Sequence, residues 1–380
     1  MPQLLNLEDH RRAARRALPR FVFEYVDGAA DDEACLARNR RDLDNVILAP
    51  RVLRDTSRTD TSVTLFGSTW RYPFAVAPTG LNGLVRPGGD ALIAAAAATM
   101  GVPFTLSTAS NQRLESVRQT APTGAQWLQL YVMQDRSIAE QLVARAAAAN
   151  YQALVLTVDV PLSGNRERDS RNGFKLPMRP TPTLAWDVVS HPRWALRQAL
   201  GGAPTFANLV ADPATKLSAQ AQAALLARAM DRTLVWESLR WLRSIWSGPL
   251  LLKGLLHPAD VALALHHGVD GLIVSNHGGR QFDAAPSAIS ALPAVVDAVQ
   301  GRIPVLMDSG IRRGTDVARA LALGAKAVFI GRPVLYGLAW AGQAGTQAVL
   351  QLLGEELERC MALLGTANLE DIGTGALVQH

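Results

Sequence analysis

The feature that most constrains this chain is a repeat. Eight times a short, apolar, β-branched run is followed by a polar or glycine turn. Most of these are followed in turn by an alanine- and leucine-rich stretch of helical period. The strand-like runs are Phe74–Ala77, Phe104–Ser107, Leu128–Tyr131, Ala153–Val158, Leu250–Lys253, Gly271–Ser275, Val305–Asp308 and Ala327–Ile330. Helical period is read over Gly89–Met100, Leu114–Thr120, Ser137–Asn150, Pro258–His267, Pro286–Gln300 and Thr315–Leu323, with Gly101, Gly268 and Gly324 as stops. Apolar strands alternating with helices belong in a parallel sheet covered by helices, and eight such units are what a (β/α)8 barrel requires. An open doubly wound sheet is the alternative. Its glycine-rich phosphate turn would follow the first strand, where this chain instead reads Ala77-Pro78-Thr79-Gly80-Leu81-Asn82-Gly83. The expected fold class is therefore α/β, a TIM barrel from roughly 73 to 350 within a single unit spanning 1–380.

The rhythm breaks between Val158 and Leu250. This stretch carries Pro177, Pro180 and Pro182, then Trp186 and His191-Pro192-Arg193-Trp194, with helical period returning near Ala219–Met230 and Glu237–Ile245. An insertion of roughly 165–235, leaving the C-terminal end of the fourth strand, reads as a lid or a docking segment. The residues before the first strand form a helical preface that ends in a short β-like stretch.

Composition narrows the function. Hydrophobic residues make up 48% and charged ones 19%, enough for a large globular core. No apolar run is long enough to cross a bilayer, and the N-terminus has no apolar export core. Two cysteines, Cys35 and Cys360, support neither a disulfide framework nor a multi-cysteine metal site, which suits a reducing cytoplasm and no metal. A net charge of +5 favours anionic ligands or an anionic membrane face. No basic stripe interleaved with aromatics suggests nucleic acid. Arg11-Arg12 and Arg15-Arg16 are spaced as one solvated helix face.

The chemically unusual residues cluster at strand ends, where barrel enzymes place their sites. Tyr131, Thr157, Asp159, Lys253, Asp308 and Gly331-Arg332 all fall there, as does Ser275-Asn276-His277-Gly278-Gly279-Arg280. Asp308-Ser309-Gly310-Ile311-Arg312 and Gly331-Arg332 each join glycine to arginine after the last two strands, the usual phosphate site of this fold; tight βα turns are the plainer reading. His277, flanked by Ser-Asn and Gly-Gly, has the close-approach backbone and the near-neutral pKa of a catalytic base. Arg280 can reach the same cavity and bind a carboxylate. Asp159 is either the orienting partner of His277 or a turn residue before Pro161. On the residues alone, Arg166 in Asn165-Arg166-Glu167-Arg168-Asp169 reads as paired with its acidic neighbours.

Ser275-Asn276-His277-Gly278-Gly279-Arg280-Gln281 resembles the signature of the FMN-dependent α-hydroxy acid dehydrogenases and oxidases. The likeness runs along nearly the whole chain, through Glu24-Tyr25, Ala77-Pro78-Thr79-Gly80, Leu106-Ser107-Thr108, Gln129-Leu130-Tyr131, Leu156-Thr157-Val158-Asp159, Leu252-Lys253-Gly254 and Asp308-Ser309-Gly310-Ile311-Arg312-Arg313-Gly314. The resemblance implies FMN as cofactor and a small (S)-2-hydroxy acid as substrate. Tyr25, Arg166 and Arg280 would hold the acid's carboxylate, which replaces the ion-pair reading of Arg166. His277 would take its proton, Asp159 would steady the imidazolium, and Tyr131 would bond near the reacting oxygen. Lys253 would lie by the flavin N1/O2 edge. Ala77, Pro78, Thr79, Gly80, Ser107, Gln129, Thr157 and Ser275 would contact the ring and ribityl chain; Asp308, Gly310, Arg312, Gly331 and Arg332 would hold the phosphate end.

Ala109, where several relatives carry an aromatic, leaves room for a mandelate-like substituent. Pro78–Gly83, Ser107–Asn111, His191–Trp194 and Trp236–Arg243 resemble the membrane-associated, mandelate-type branch of the family. Arginines together with Trp186 and Trp194 in the insertion suit an anionic interface. The expected protein is cytoplasmic, docked peripherally on the inner face of the cell membrane, tetrameric, and passes electrons to quinone or another carrier. The alternatives are an oxidase making hydrogen peroxide from O2, a lactate-type dehydrogenase, an FMN-barrel isomerase and an inert flavin binder.

Overall fold

The computed structural model describes residues 4–174, 181–202, 205–209 and 230–378. Three helices open the chain: α1 (Leu7–Ala17), α2 (Arg20–Asp27) and α3 (Ala34–Asp44). An antiparallel hairpin follows, β1 (Val63–Leu65) and β2 (Ser68–Trp70). The eight expected strands are β3 (Phe74–Val76), β4 (Phe104–Leu106), β5 (Gln126–Leu130), β6 (Ala153–Thr157), β7 (Leu250–Leu255), β8 (Gly271–Val274), β9 (Val305–Met307) and β10 (Ala327–Ile330). They pair in sequence order, all parallel, and β10 closes on β3 with Phe329 opposite Ala75. The fold is a TIM barrel.

The two-residue period of each strand sorts its side chains between two cores. Phe74, Leu128, Leu154, Leu156, Leu252, Val274 and Ile330 pack outward under the helices. Ala75, Trp127, Val155, Leu251, Ile273, Leu306 and Phe329 fill the barrel. The hairpin plugs the bottom: Trp70 and Phe66 meet Trp127 edge-on at 5.4 and 5.6 Å between ring centroids. Buried aromatics leave no channel, so the opposite, C-terminal mouth is the open end.

Two surface expectations are corrected. Arg11 is no solvated residue. Its guanidinium grips Asp27 through two bonds of 2.7 and 2.8 Å, and Asp27 also accepts from Tyr336 at 2.8 Å. The basic face of α1 is thereby partly a clamp onto α2 and the helix Arg332–Ala341. In the insertion, helices Pro182–Val189 and Pro192–Gly201 pack against α2 and the turn at Gly83-Leu84. Asp187 accepts from the first amides of α2, and Trp194 is buried edge-on against Phe21 with its indole N–H on the Leu84 carbonyl at 2.9 Å. Trp194 is therefore an anchor within the protein, not an interface residue. Trp186 is 74% exposed. The helical period read over Ala219–Met230, and Pro177 and Pro180, lie outside the described residues except for Met230.

Candidate active site

The inward parity that fills the barrel continues past each strand. It delivers one residue per strand to the top layer: Ala77, Ser107, Gln129, Thr157, Lys253, Ser275, Asp308 and Gly331. A cavity of about 370 Å³ opens over this layer, lined among others by Tyr25, Ala77, Pro78, Thr79, Gly80, Ser107, Ala109 and Tyr131, and across the mouth by Arg166, Lys253, His277, Arg280, Asp308, Gly310, Arg312, Gly331 and Arg332. Gln129, Thr157, Ser275 and Asp159 are not among the residues that line it.

The layer has unmet bonding capacity. The Gln129 carbonyl accepts from the Ser107 hydroxyl at 3.2 Å and from the Thr108 amide at 3.1 Å, leaving its Nε2 with no partner. The buried Thr157 hydroxyl also has none. Each such orphan costs about 1–3 kcal/mol unless a ligand satisfies it. Lys253 is buried, donating to Ser275 at 2.8 Å and pairing with Asp308 at 3.1 Å. Burial opposes its charge, but Asp308 and Asp159 outweigh burial and raise its pKa. At the far end Ser309 and Gly310 have φ of 76° and 101°, and Gly331 begins the helix Arg332–Ala341. Arg332 is spread across the carbonyls of Val26, Gly28 and Gly278. Burial, then neighbouring Arg312, lowers its pKa to about 10. Amide and hydroxyl orphans around a buried ammonium, with a cationic helix N-terminus beyond them, fit the polar edge and phosphate of FMN.

His277 lies at φ 59°, its backbone N–H on Ser275 at 3.0 Å. Its Nδ1 meets the two Asp159 oxygens at 3.0 and 3.2 Å, so Nε2 is the nitrogen left for a ligand. Burial lowers the imidazole pKa, Asp159 raises it and Lys253 lowers it, for a net lowering that favours the neutral ring. Burial raises the Asp159 pKa, but His277 and Lys253 pull it below the ordinary range. A bulge after Lys253 makes room for this pair. Gly254 has φ 107°, and a Cβ there would stand 2.6 Å from the Asp159 side chain.

Opposite the imidazole, the guanidinium carbons of Arg280 and Arg166 lie 5.1 and 6.0 Å from the Tyr25 ring centroid. Arg280 spends one nitrogen on the Gly28 carbonyl at 2.7 Å; burial, Arg166 and Arg332 lower its pKa to about 9. Arg166 Nε is buried without a partner. The local-pairing reading of Arg166 holds only loosely: Glu167 binds Arg171 and Arg168 binds Glu33, and Asp169 acts on Arg166 through charge without an ion pair. Arg166 and Arg280 are two crowded cations, neither in an ion pair among the described residues, with donors to spare for an anionic group. Burial raises the Tyr131 phenol, so it stays a donor. Sequence reasoning missed Leu81, Phe174, Phe206 and Met230, which line the same cavity as Ala109, with Leu81 and Phe206 packed against it. Phe206 lies in the weakly patterned part of the insertion, and Met230 ends a stretch whose helical period carries no sign of a site.

A family model for FMN-dependent dehydrogenases matches residues 14–379, and the chain belongs to that family. It is an oxidoreductase acting on CH–OH groups with FMN as cofactor, and its reaction is hydroxy acid oxidation of the kind (S)-mandelate dehydrogenase performs. The (S)-mandelate dehydrogenase of Pseudomonas putida is 43% identical over 369 residues, covering 97% of this chain and 92% of that protein. A crystal structure of monotopic membrane protein (S)-mandelate dehydrogenase superposes with a TM-score of 0.96 at 42% identity, over 100% of both chains. A mandelate oxidase with (S)-4-hydroxymandelic acid matches at TM-score 0.85 and 39% identity over 97% of both.

Proposed function

We propose that this enzyme oxidises (S)-mandelate, or an aryl 2-hydroxy acid of similar bulk, to the 2-keto acid and delivers the electrons to a lipid-soluble quinone at a membrane surface. One observation carries the reading. A single cavity brings an Asp159-oriented His277 together with the guanidinium groups of Arg166 and Arg280.

The acid's carboxylate is held by Arg166 and Arg280, with the Tyr25 hydroxyl beside them. This fixes the α-carbon and saves the entropy of finding it. His277 Nε2 accepts the substrate proton; Asp159, on Nδ1, offsets the charge that appears on the ring. Tyr131 donates toward the reacting oxygen. FMN, when bound, accepts the two electrons. Ala77 to Gly80, Ser107, Gln129, Thr157 and Ser275 would cradle its ring and ribityl chain; Asp308, Gly310, Arg312, Gly331 and Arg332 would hold its phosphate end. Lys253, kept charged by Asp308 and Asp159, supplies positive charge beside the ring. Leu81, Ala109, Phe206 and Met230 make an apolar chamber matched to an aryl group.

The membrane reading is supported by the insertion. Trp186, Val189, Leu196 and Leu200 are 74%, 67%, 62% and 82% exposed on the two helices packed against α2, with Arg193 and Arg197 exposed among them. No helix among the described residues is long and apolar enough to cross a membrane, and a similar protein is monotopic. The test is a substrate panel under anaerobic conditions. Purified holoenzyme should bleach with (S)-mandelate at a kcat/KM about ten-fold or more above that for L-lactate, and a quinone should restore the colour. A lactate preference overturns the substrate assignment. Stoichiometric hydrogen peroxide in air overturns the acceptor.

A further inference from the structure

Beneath the aryl chamber lies a carboxylate that the chemistry above does not use. Asp90, near the start of the helix Gly89–Met100, is 0% exposed. No cation pairs with it among the described residues. Its oxygens accept from the Asn82 amide and the Ser110 hydroxyl, each at 2.7 Å, and from the Asn111 backbone. Burial pushes this carboxyl up to about 6, so at neutral pH the fold carries an ionised group held only by neutral donors.

The two donors belong to different loops. Asn82 also bonds the Thr79 carbonyl at 3.1 Å and the Thr79 hydroxyl at 3.0 Å, closing the turn that carries Gly80 and Leu81. Leu81 is left-handed, φ 59°, a conformation a branched side chain holds only when its surroundings impose it. Ser110 belongs to the loop that carries Ala109. Its carbonyl accepts from the Ala207 amide at 3.1 Å, next to Phe206 in the insertion. Three of the chamber's four walls, Leu81, Ala109 and Phe206, therefore hang on residues that Asp90 binds directly or through Ser110. The gap is narrow: a Cβ on Gly80 would stand 3.0 Å from the Ala109 methyl.

We propose that Asp90 is a specificity-determining positioning residue, whose buried carboxylate sets the width of the aryl chamber by holding the Thr79–Asn82 and Ser107–Gln112 loops in register. The inference rests on the reading that the chamber takes the substituent of a 2-hydroxy acid. Charge-assisted bonds are shorter and stiffer than neutral ones, so neutralising Asp90 loosens the walls while relieving the cost of a buried charge.

The test compares FMN-loaded wild type with Asp90→Asn, an isosteric change, and with Ser110→Ala. Asp90→Asn should lower kcat/KM for (S)-mandelate about ten-fold, chiefly through KM. L-Lactate, too small to reach the walls, should change less than about two-fold. Bound flavin should be retained and Tm should stay level or rise. Ser110→Ala should act in the same direction, and the double variant should be no worse than the poorer single, because the three groups form one unit. Ser110→Ala carries the same expectation should the asparagine variant fail to fold. Equal losses on both acids with a lower Tm would reduce Asp90 to a structural role and overturn the inference. A reactive wild type with an unaltered Asp90→Asn variant overturns this inference alone. A wild type inert to both acids overturns the functional reading and this inference together.

Discussion

Asp159→Asn separates the part of the reaction that depends on charge from the part that depends on shape. Asparagine keeps the size of the side chain and can still accept from His277 Nδ1, but it removes the negative charge. In the native pair the contact is 3.0 Å, with both groups largely shielded from solvent. At an effective dielectric near 20, Coulomb's law gives an attraction on the order of 5 kcal/mol between the imidazolium and the carboxylate. The remaining neutral hydrogen bond returns part of this, leaving a loss of about 3 kcal/mol once the ring is charged. Only the protonated ring feels it, so the loss falls on the barrier. The rate of anaerobic flavin bleaching at saturating acid should drop by about 100-fold, with KM little changed.

The pH profile adds a second signature. Asp159 raises the His277 pKa against burial and Lys253. Removing it lets those two push the ring further down, so the acid limb of kcat/KM should move to lower pH while the plateau falls. Stopped-flow reduction across pH measures both. Bleaching within about three-fold of wild type, or an acid limb displaced upward, would refute the assignment of Asp159 to His277.

Other substitutions address the remaining parts of the site. Arg166→Met should cost about 100-fold in kcat/KM by removing a charge-assisted carboxylate contact, read in steady-state kinetics. Its Tm should not fall, since Arg166 has no ion-pair partner to orphan among the described residues. Ala109→Phe should fill the chamber and lower kcat/KM for (S)-mandelate by about 100-fold while sparing L-lactate, so the ratio of the two is the measurement. Gly254→Ala places a Cβ 2.6 Å from Asp159 at φ 107° and should destabilise by on the order of 3 kcal/mol, seen as a fall in Tm with loss of bleaching. Serine at Trp186, Val189, Leu196 and Leu200 should abolish sedimentation with anionic vesicles while leaving turnover with a soluble acceptor intact.

The barrel is legible because parallel strands leave a repeating apolar signature, and their two-residue period continues into the chemistry. Once β6 and β7 are placed, Thr157 and Lys253 can only face inward. His277 is legible for a related reason: glycines on one side and small polar residues on the other have no use in a core. Arg166 is not. Its sequence neighbours are acidic, and only the fold shows that Glu167 is taken by Arg171 while Arg168 reaches away to Glu33. Trp194 misleads for the opposite reason, since tryptophan beside arginine reads as an interface whether the ring faces lipid or Phe21. The chamber wall is illegible because Leu81 comes from a strained turn, while Phe206 and Met230 come from an insertion whose pattern does not tie them to the barrel. No periodicity links them, and Asp90, the group that binds their loops, looks like an ordinary acidic residue in the first turn of a helix.

The most direct test of the central claim is a crystal structure of the His277→Asn variant, loaded with FMN and soaked with (S)-mandelate. The acid's carboxylate should lie between Arg166 and Arg280, its phenyl ring against Ala109 and Phe206, and its α-carbon over the isoalloxazine beside residue 277. A carboxylate bound away from both arginines, or an isoalloxazine that leaves Gln129 Nε2 and the Thr157 hydroxyl without partners, would contradict the account.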